Sequence, residues 1–202
     1  MKKSAILFFT LVLSMSCVDK KRYFIELTSF QQELNSEFKD VTSSPLKDVD
    51  RLEFTSLDFY EYDSLYLVQA KFKKLNNELV FKMKTTTDRL PEYVKYGEIE
   101  FKIDNKSFEL NLYQNQELIK KDGYENYLFL PFIDDTNGFT TYSGGRYIDL
   151  EIPVDSLITI DFNSAYNPYC AYNEKYSCPI VPSDNYLSLE ISAGVKSFKK
   201  NN

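Results

Sequence analysis

Histidine is absent from all 202 residues of this chain. That absence removes Ser-His-Asp and Cys-His catalysis, histidine-ligated metals and imidazole acid–base chemistry together. Any catalysis has to use carboxylates, tyrosine, lysine or arginine, and no established catalytic motif is present, so whether the chain is an enzyme stays open. Tryptophan is also missing, leaving 16 Tyr and 16 Phe as the aromatic content. A long apolar run is lacking: Ala5 to Leu13 spans about nine residues, whereas crossing a bilayer as a helix takes about twenty. An excess of basic charge is lacking too, since the net charge is −6. No internal repeat and no low-complexity stretch stands out.

What is present begins with an export signal. Lys2 and Lys3, the apolar run and small polar Ser14-Met15-Ser16 have the three-part layout of a secretory leader, so residues 1–16 read as a signal peptide. Cys17 directly after them resembles a bacterial lipobox, where the thiol is acylated and the chain is cut just before it. Leu13 stands four residues before the Cys where three is usual, and ordinary cleavage with Cys17 a bystander is the alternative. On this reading residues 17–21 are a lipid tether and 22–202 a single domain. The membrane is reached through lipid at Cys17, which puts the chain in the cell envelope, on the periplasmic face or the cell surface.

Removing the leader takes away two lysines and no acid, so the charge moves from −6 to −8. A chain this acidic is repelled by phosphate backbones and anionic lipid, which argues against nucleic-acid binding and against a basic docking face. With Cys17 acylated, Cys170 and Cys178 remain as a pair in an oxidising compartment. A disulfide is the expectation, with two free buried thiols as the alternative. It would close a short loop and contribute roughly 2–3 kcal/mol. Two cysteines without histidine do not make the usual four-ligand zinc site.

From Arg22 to Lys39, Phe24, Leu27, Phe30 or Gln31, Leu34 and Phe38 recur at spacings of three and four, the face of an amphipathic helix that Ser43-Ser44-Pro45 ends. Beyond Pro45 the period becomes two. Tyr66, Val68, Ala70 and Phe72, then a turn at Asn76-Asn77 and Leu79–Met83, read as a hairpin. Ile99, Phe101 and Ile103 form a second hairpin with Phe108, Leu110 and Leu112 around Asp104-Asn105-Lys106. Further strands are expected at Tyr127–Phe132, Tyr147–Ile152, Leu157–Phe162 and Tyr186–Ser192. The fold class is therefore mainly β: an antiparallel sandwich or partly open barrel with one N-terminal amphipathic helix.

Two stretches, 129–149 and 161–179, concentrate Gly, Asn, Asp, Tyr, Pro and Cys where local propensity gives no reason for it, and sites live in such segments. Their residues include Leu130-Pro131-Phe132, Asp135-Thr136, Gly138, Thr141-Tyr142, Gly144-Gly145-Arg146-Tyr147, Asp161-Phe162-Asn163 and Ala165-Tyr166-Asn167-Pro168. With Cys170-Ala171, Cys178-Pro179, Asn185 and Ala193-Gly194, they resemble the signature of the bacterial and archaeal family called domain of unknown function 1684. Weaker likeness runs upstream through Ser44-Pro45-Leu46, Met83, Thr85-Thr86 and Tyr96-Gly97. The chain departs at Asp88-Arg89, where the family usually has Gly, and at Val181-Pro182, where two prolines are common. The resemblance implies kinship of fold and a residue list, not a reaction.

Asp134 to Gly138 gathers carboxylate, amide and hydroxyl oxygens of the kind calcium takes, with an Asx-type turn as the alternative; no other metal and no cofactor is expected. Gly144-Gly145-Arg146 offers either an anion-binding corner or an arginine salt-bridged to Asp135 or Asp161. Asp161, Asn163, Tyr166 and Asn167 either line a cleft or satisfy the backbone of a long loop. The favoured reading is an envelope binding module that recognises a polar ligand through Asp135, Thr136, Arg146, Tyr147, Asp161, Asn163, Tyr166 and Asn167. Its rivals are a hydrolase using a carboxylate pair such as Asp135 and Asp161, and a structural lipoprotein whose partner is an envelope protein.

Overall fold

The computed structural model describes residues 27–199, so the signal peptide, Cys17, the tether and Phe24 lie outside the described residues. The first element among the described residues is helix α1, Ser29–Lys39. It starts later than the apolar spacing suggests because Thr28 and Gln31 form a capping box: Gln31 N donates to Thr28 Oγ1 and Thr28 N donates to Gln31 Oε1, both at 3.2 Å. Beyond its other end, the Ser44 hydroxyl donates to the free carbonyl of Phe38. A short helix α2, Asp48–Glu53, follows. Among the described residues no helix is long and apolar enough to cross a membrane.

Among the described residues eight strands then build one sheet: β1 (Leu67–Lys74), β2 (Phe81–Lys82), β3 (Glu92–Ile103), β4 (Lys106–Asn115), β5 (Tyr127–Asp134), β6 (Arg146–Glu151), β7 (Leu157–Asp161) and β8 (Tyr186–Leu187). The order β6-β5-β4-β3-β1-β7 curls into a half-barrel, with β2 added on β3 and β8 on β5. Of the two expected architectures it is the open barrel, since a single sheet folds around its own core.

The β3–β4 hairpin forms as read from the sequence. Asp104 and Asn105 both take positive φ (47° and 61°), the paired left-handed geometry that matches the strand twist. The earlier hairpin does not form. β1 lies between β3 and β7 and has no free edge for the segment after Asn77. Instead β2 runs in the same direction as β1 and takes the next stretch of the long β3 edge, Phe81 opposite Tyr93. Of the strand expected at Tyr186–Ser192, only Tyr186–Leu187 pairs.

Period-two alternation sorts the side chains. Val68 and Ala70, Ile99 and Phe101, Leu110 and Leu112, Leu128, Leu130 and Phe132, Ile148, and Ile158 and Ile160 face inward, and Phe162, Ile191 and Ala193 close the barrel over them. The opposite face is also covered. Tyr93, Tyr113, Phe129 and Tyr147 pack there with Met83 and Val181, beside a cluster in which Leu34 and Phe38 of α1 meet Leu57, Ala171 and Tyr172. Tyr93 shares parity with inward Ile99, yet it points out because a bulge between Lys95 and Gly97 shifts the register by one. That shift places Tyr93 in the outer aromatic layer.

Candidate functional site

Some of the residues singled out in the sequence lie on opposite faces of β5 and β6, and the rest in the turn after β5, at the end of β7 and in the loop that follows it. Arg146 points inward and is fully buried. Its Nη2 donates to Asp134 Oδ2 at 2.8 Å and to Ile191 O at 2.9 Å, its Nη1 donates to Ala193 O, and its plane lies 5.2 Å from the centre of the Phe132 ring. The partner is Asp134, not Asp135 or Asp161. Asp134 Oδ1 in turn accepts from the backbone and hydroxyl of Thr136 and from Ile191 N.

Gly145 takes φ +90°, and a Cβ there would stand 2.6 Å from Phe132 O. The glycine therefore lets the chain pass against β5 rather than cradle an anion. Apart from exposed Asp135, the loop oxygens that suit calcium are engaged in the same knot: Asn137 Oδ1 accepts from Asp134 N, and Thr136 and Thr141 share a hydroxyl hydrogen bond. Among the described residues no group of three His, Cys, Asp or Glu is placed to hold a metal.

The other candidates outside the knot are also engaged by the chain. Asp161 Oδ1 accepts from the backbone and amide of Asn163, and Asn163 holds the backbone of Asp63 through both its amide atoms. Asn167 is buried and donates to Lys196 O and the Tyr172 hydroxyl. Exposed Asp135 accepts from the Tyr186 hydroxyl. Asp135 and Asp161 are thus engaged separately, each by its own neighbours.

Two candidates, Tyr147 and Tyr166, stand on the outer face, and there they line a pocket of about 410 Å³, within the size range of small-molecule sites. Its floor is β5 and β6, which contribute Tyr127, Phe129 and Asp149. The long loop after β7 supplies Tyr166, Tyr169 and Tyr176, and α1 leans over with Phe30, Leu34 and Glu37. The rings brace one another edge to face: Phe129 with Tyr147 at 4.7 Å, Tyr147 with Tyr166 at 5.9 Å, and Tyr169 with Tyr176 at 5.2 Å. Backbone pairing of Tyr147 with Tyr166 in both directions, at 2.9 and 3.0 Å, fixes the loop to the floor.

Asp149, opposite Phe129 in the ladder, is the polar centre. The hydroxyls of Tyr127 and Tyr166 both donate to its Oδ1, at 2.6 and 2.8 Å, and no described residue donates to Oδ2. Asp149 is exposed to the pocket and to a neighbouring hollow lined by Tyr124 and Glu151. The rings still crowd water from it, and this desolvation outweighs the two phenols and holds its carboxyl above the usual range. Burial, together with the Asp149 charge, pushes the Tyr127 and Tyr166 hydroxyls well up, so both stay protonated donors. The second acid of the lining, Glu37, accepts from the Tyr169 hydroxyl.

Cys178 forms part of the pocket wall, with Cys170 behind it. The two are free thiols here, without the expected disulfide, and Cys170 N lies 3.1 Å from Cys178 Sγ. A hydrogen bond from the Cys178 thiol, with help from Tyr142, brings Cys170 down to about 6, while Cys178 is raised.

A family model described as "Protein of unknown function (DUF1684)" matches residues 52–196. Among solved structures, the chain is similar to an uncharacterised protein of Haloarcula marismortui determined by solution NMR. The two share 32% identity over 82% of this chain and 89% of that one, with a TM-score of 0.65. Among proteins of curated function none matches. Helix α1, which walls the pocket, precedes the residues that the family model matches.

Proposed function

This chain belongs to the DUF1684 family, and from that premise we propose that it is a cell-envelope binding protein whose ligand enters the aromatic pocket around Asp149. The observation that carries the reading is the half-satisfied carboxylate at the pocket floor: Asp149, set among aromatic rings, keeps an oxygen that no described side chain engages. Few convergent polar groups in a mostly apolar concavity is the usual make-up of a small-molecule site. The polar ligand expected from the sequence is thus reassigned from the loop residues to Asp149, Tyr127, Tyr147 and Tyr166.

Export and lipid anchoring belong to the same proposal. The leader and Cys17 support them, with the lipid as the membrane contact and the folded domain carrying the recognition. Cys17→Ser should move the protein from the membrane to the soluble fraction, and an unchanged distribution would remove the anchor.

Binding is tested with a fragment library followed through tyrosine-ring NMR signals, run beside Leu118→Trp, which puts bulk into the pocket wall. The reading expects hits that move Tyr127, Tyr147 and Tyr166 together and vanish in the Trp variant while its melting temperature holds. Hits that bind the blocked variant equally well would overturn it.

A further inference from the structure

We infer that the occupant of this pocket is an organic ammonium ion, seated against tyrosine faces with Asp149 Oδ2 as its counter-ion; the inference rests on the pocket being a binding site. The side chains of the lining carry two formal charges, Asp149 and Glu37, both negative, and neither lysine nor arginine is among the lining residues. Arg89, which lies outside the lining, donates through Nε and Nη2 to the hydroxyl and carbonyl of Ser177. An anionic ligand would meet two carboxylates with no cation in the lining to offset them, Lys175 and Arg89 standing at its edge. A neutral ligand would leave Asp149 Oδ2 beside it without a positive partner, and would displace water from that oxygen without replacing it.

An ammonium ion answers both features at once. Its charge pairs with Oδ2, while its methyl or methylene groups lie on ring faces whose quadrupole attracts cations. The chain already uses that attraction at the pocket edge, where the Lys175 ammonium stands 5.0 Å from the centre of the Tyr176 ring. The arrangement is also held in advance. The Tyr127 and Tyr166 hydroxyls fix the carboxylate through Oδ1, and edge-to-face contacts fix the rings, so little ordering remains to be done on binding. Crowding by the rings, which disfavours the charged form of Asp149, would be offset by a cation and not by a neutral guest.

The experiment uses the purified full-length protein and three cations, each paired with its uncharged carbon isostere: choline with 3,3-dimethylbutan-1-ol, (2-hydroxyethyl)dimethylammonium with 3-methylbutan-1-ol, and 2-hydroxyethylammonium with propan-1-ol. Calorimetry or NMR titration is expected to show at least one cation binding about tenfold tighter than its isostere. Asp149→Asn should narrow that gap to within about twofold. If every isostere binds as well as its cation, or if Asp149→Asn leaves the gap intact, the ammonium assignment is overturned while the pocket stands as a site. If no cation binds but fragments sensitive to Leu118→Trp do, the assignment falls in the same way. Loss of all pocket binding sinks the assignment together with the reading on which it rests. Choline-headgroup vesicles run beside free choline separate a lipid source of the ammonium group from a soluble one.

Discussion

Asp134 and Asp149 stand on neighbouring strands of one sheet and have opposite fates. Asp134 points inward, is fully buried, and has both oxygens engaged by Arg146, Thr136 and Ile191. Asp149 points outward among aromatic rings with one oxygen held by two phenols and the other left over. The contrast teaches that chemically similar residues are sorted by saturation, not by type: the fully partnered acid holds the fold, and the partly partnered one faces a pocket.

The comparison breaks most visibly if the inner knot is cut. Arg146→Met should cost about 3–5 kcal/mol in urea unfolding, because it leaves the Asp134 carboxylate buried without its counter-ion. Adding Asp134→Leu should recover much of that loss, and a full-strength effect in the double variant would show that the pair itself was not the cause. Gly145→Ala is the next largest, about 1–3 kcal/mol, since it combines positive φ with a Cβ 2.6 Å from Phe132 O.

On the outer face the effects should be smaller. Tyr166→Phe removes one of the two donors to Asp149 and is expected to cost about 1 kcal/mol. Asp149→Asn should have the least effect, and its sign is the informative part. A carboxyl whose folded pKa lies above its unfolded value of 3.8 makes the native state less stable as pH rises from 3.8 through that raised value. The Asn variant lacks this loss, so it should melt no lower than the parent at pH 7, with the difference closing below pH 3.8. A variant clearly less stable at pH 7 than the parent would mean that Asp149 is a structural ion like Asp134.

Much of the fold was legible in the sequence because alternation is a local property. Ile99 to Leu112 and Asp104-Asn105 specify their hairpin without help from the rest of the chain. The pairing of β2 was not legible, because it depends on how much of the β3 edge β1 leaves free. The start of α1 was misjudged because Leu27 keeps the apolar spacing while Thr28 and Gln31 cap the helix after it. For the site, Arg146, Asp161, Asn163 and Asn167 drew attention as polar residues in unusual loops, yet polar residues there serve equally to satisfy buried backbone. Asp149 has no such mark, since it lies inside a strand. The signal that would have found it is the pair of strands 127–132 and 147–152, which carry Tyr127, Phe129 and Tyr147 on the face opposite Leu128, Leu130 and Ile148. A strand apolar on both sides is covered on both sides, and an acid in its outward row marks a polar point in that cover.

The most direct test of the division between knot and pocket is one NMR titration of the full-length protein with the fragment and ammonium panel, observing the tyrosine rings and the Arg146 guanidinium together. Tyr127, Tyr147 and Tyr166 should shift in concert at one affinity while the Arg146 signal stays fixed. A ligand that moves Arg146 and leaves those tyrosines unchanged would contradict it, and would return the site to the inner loops.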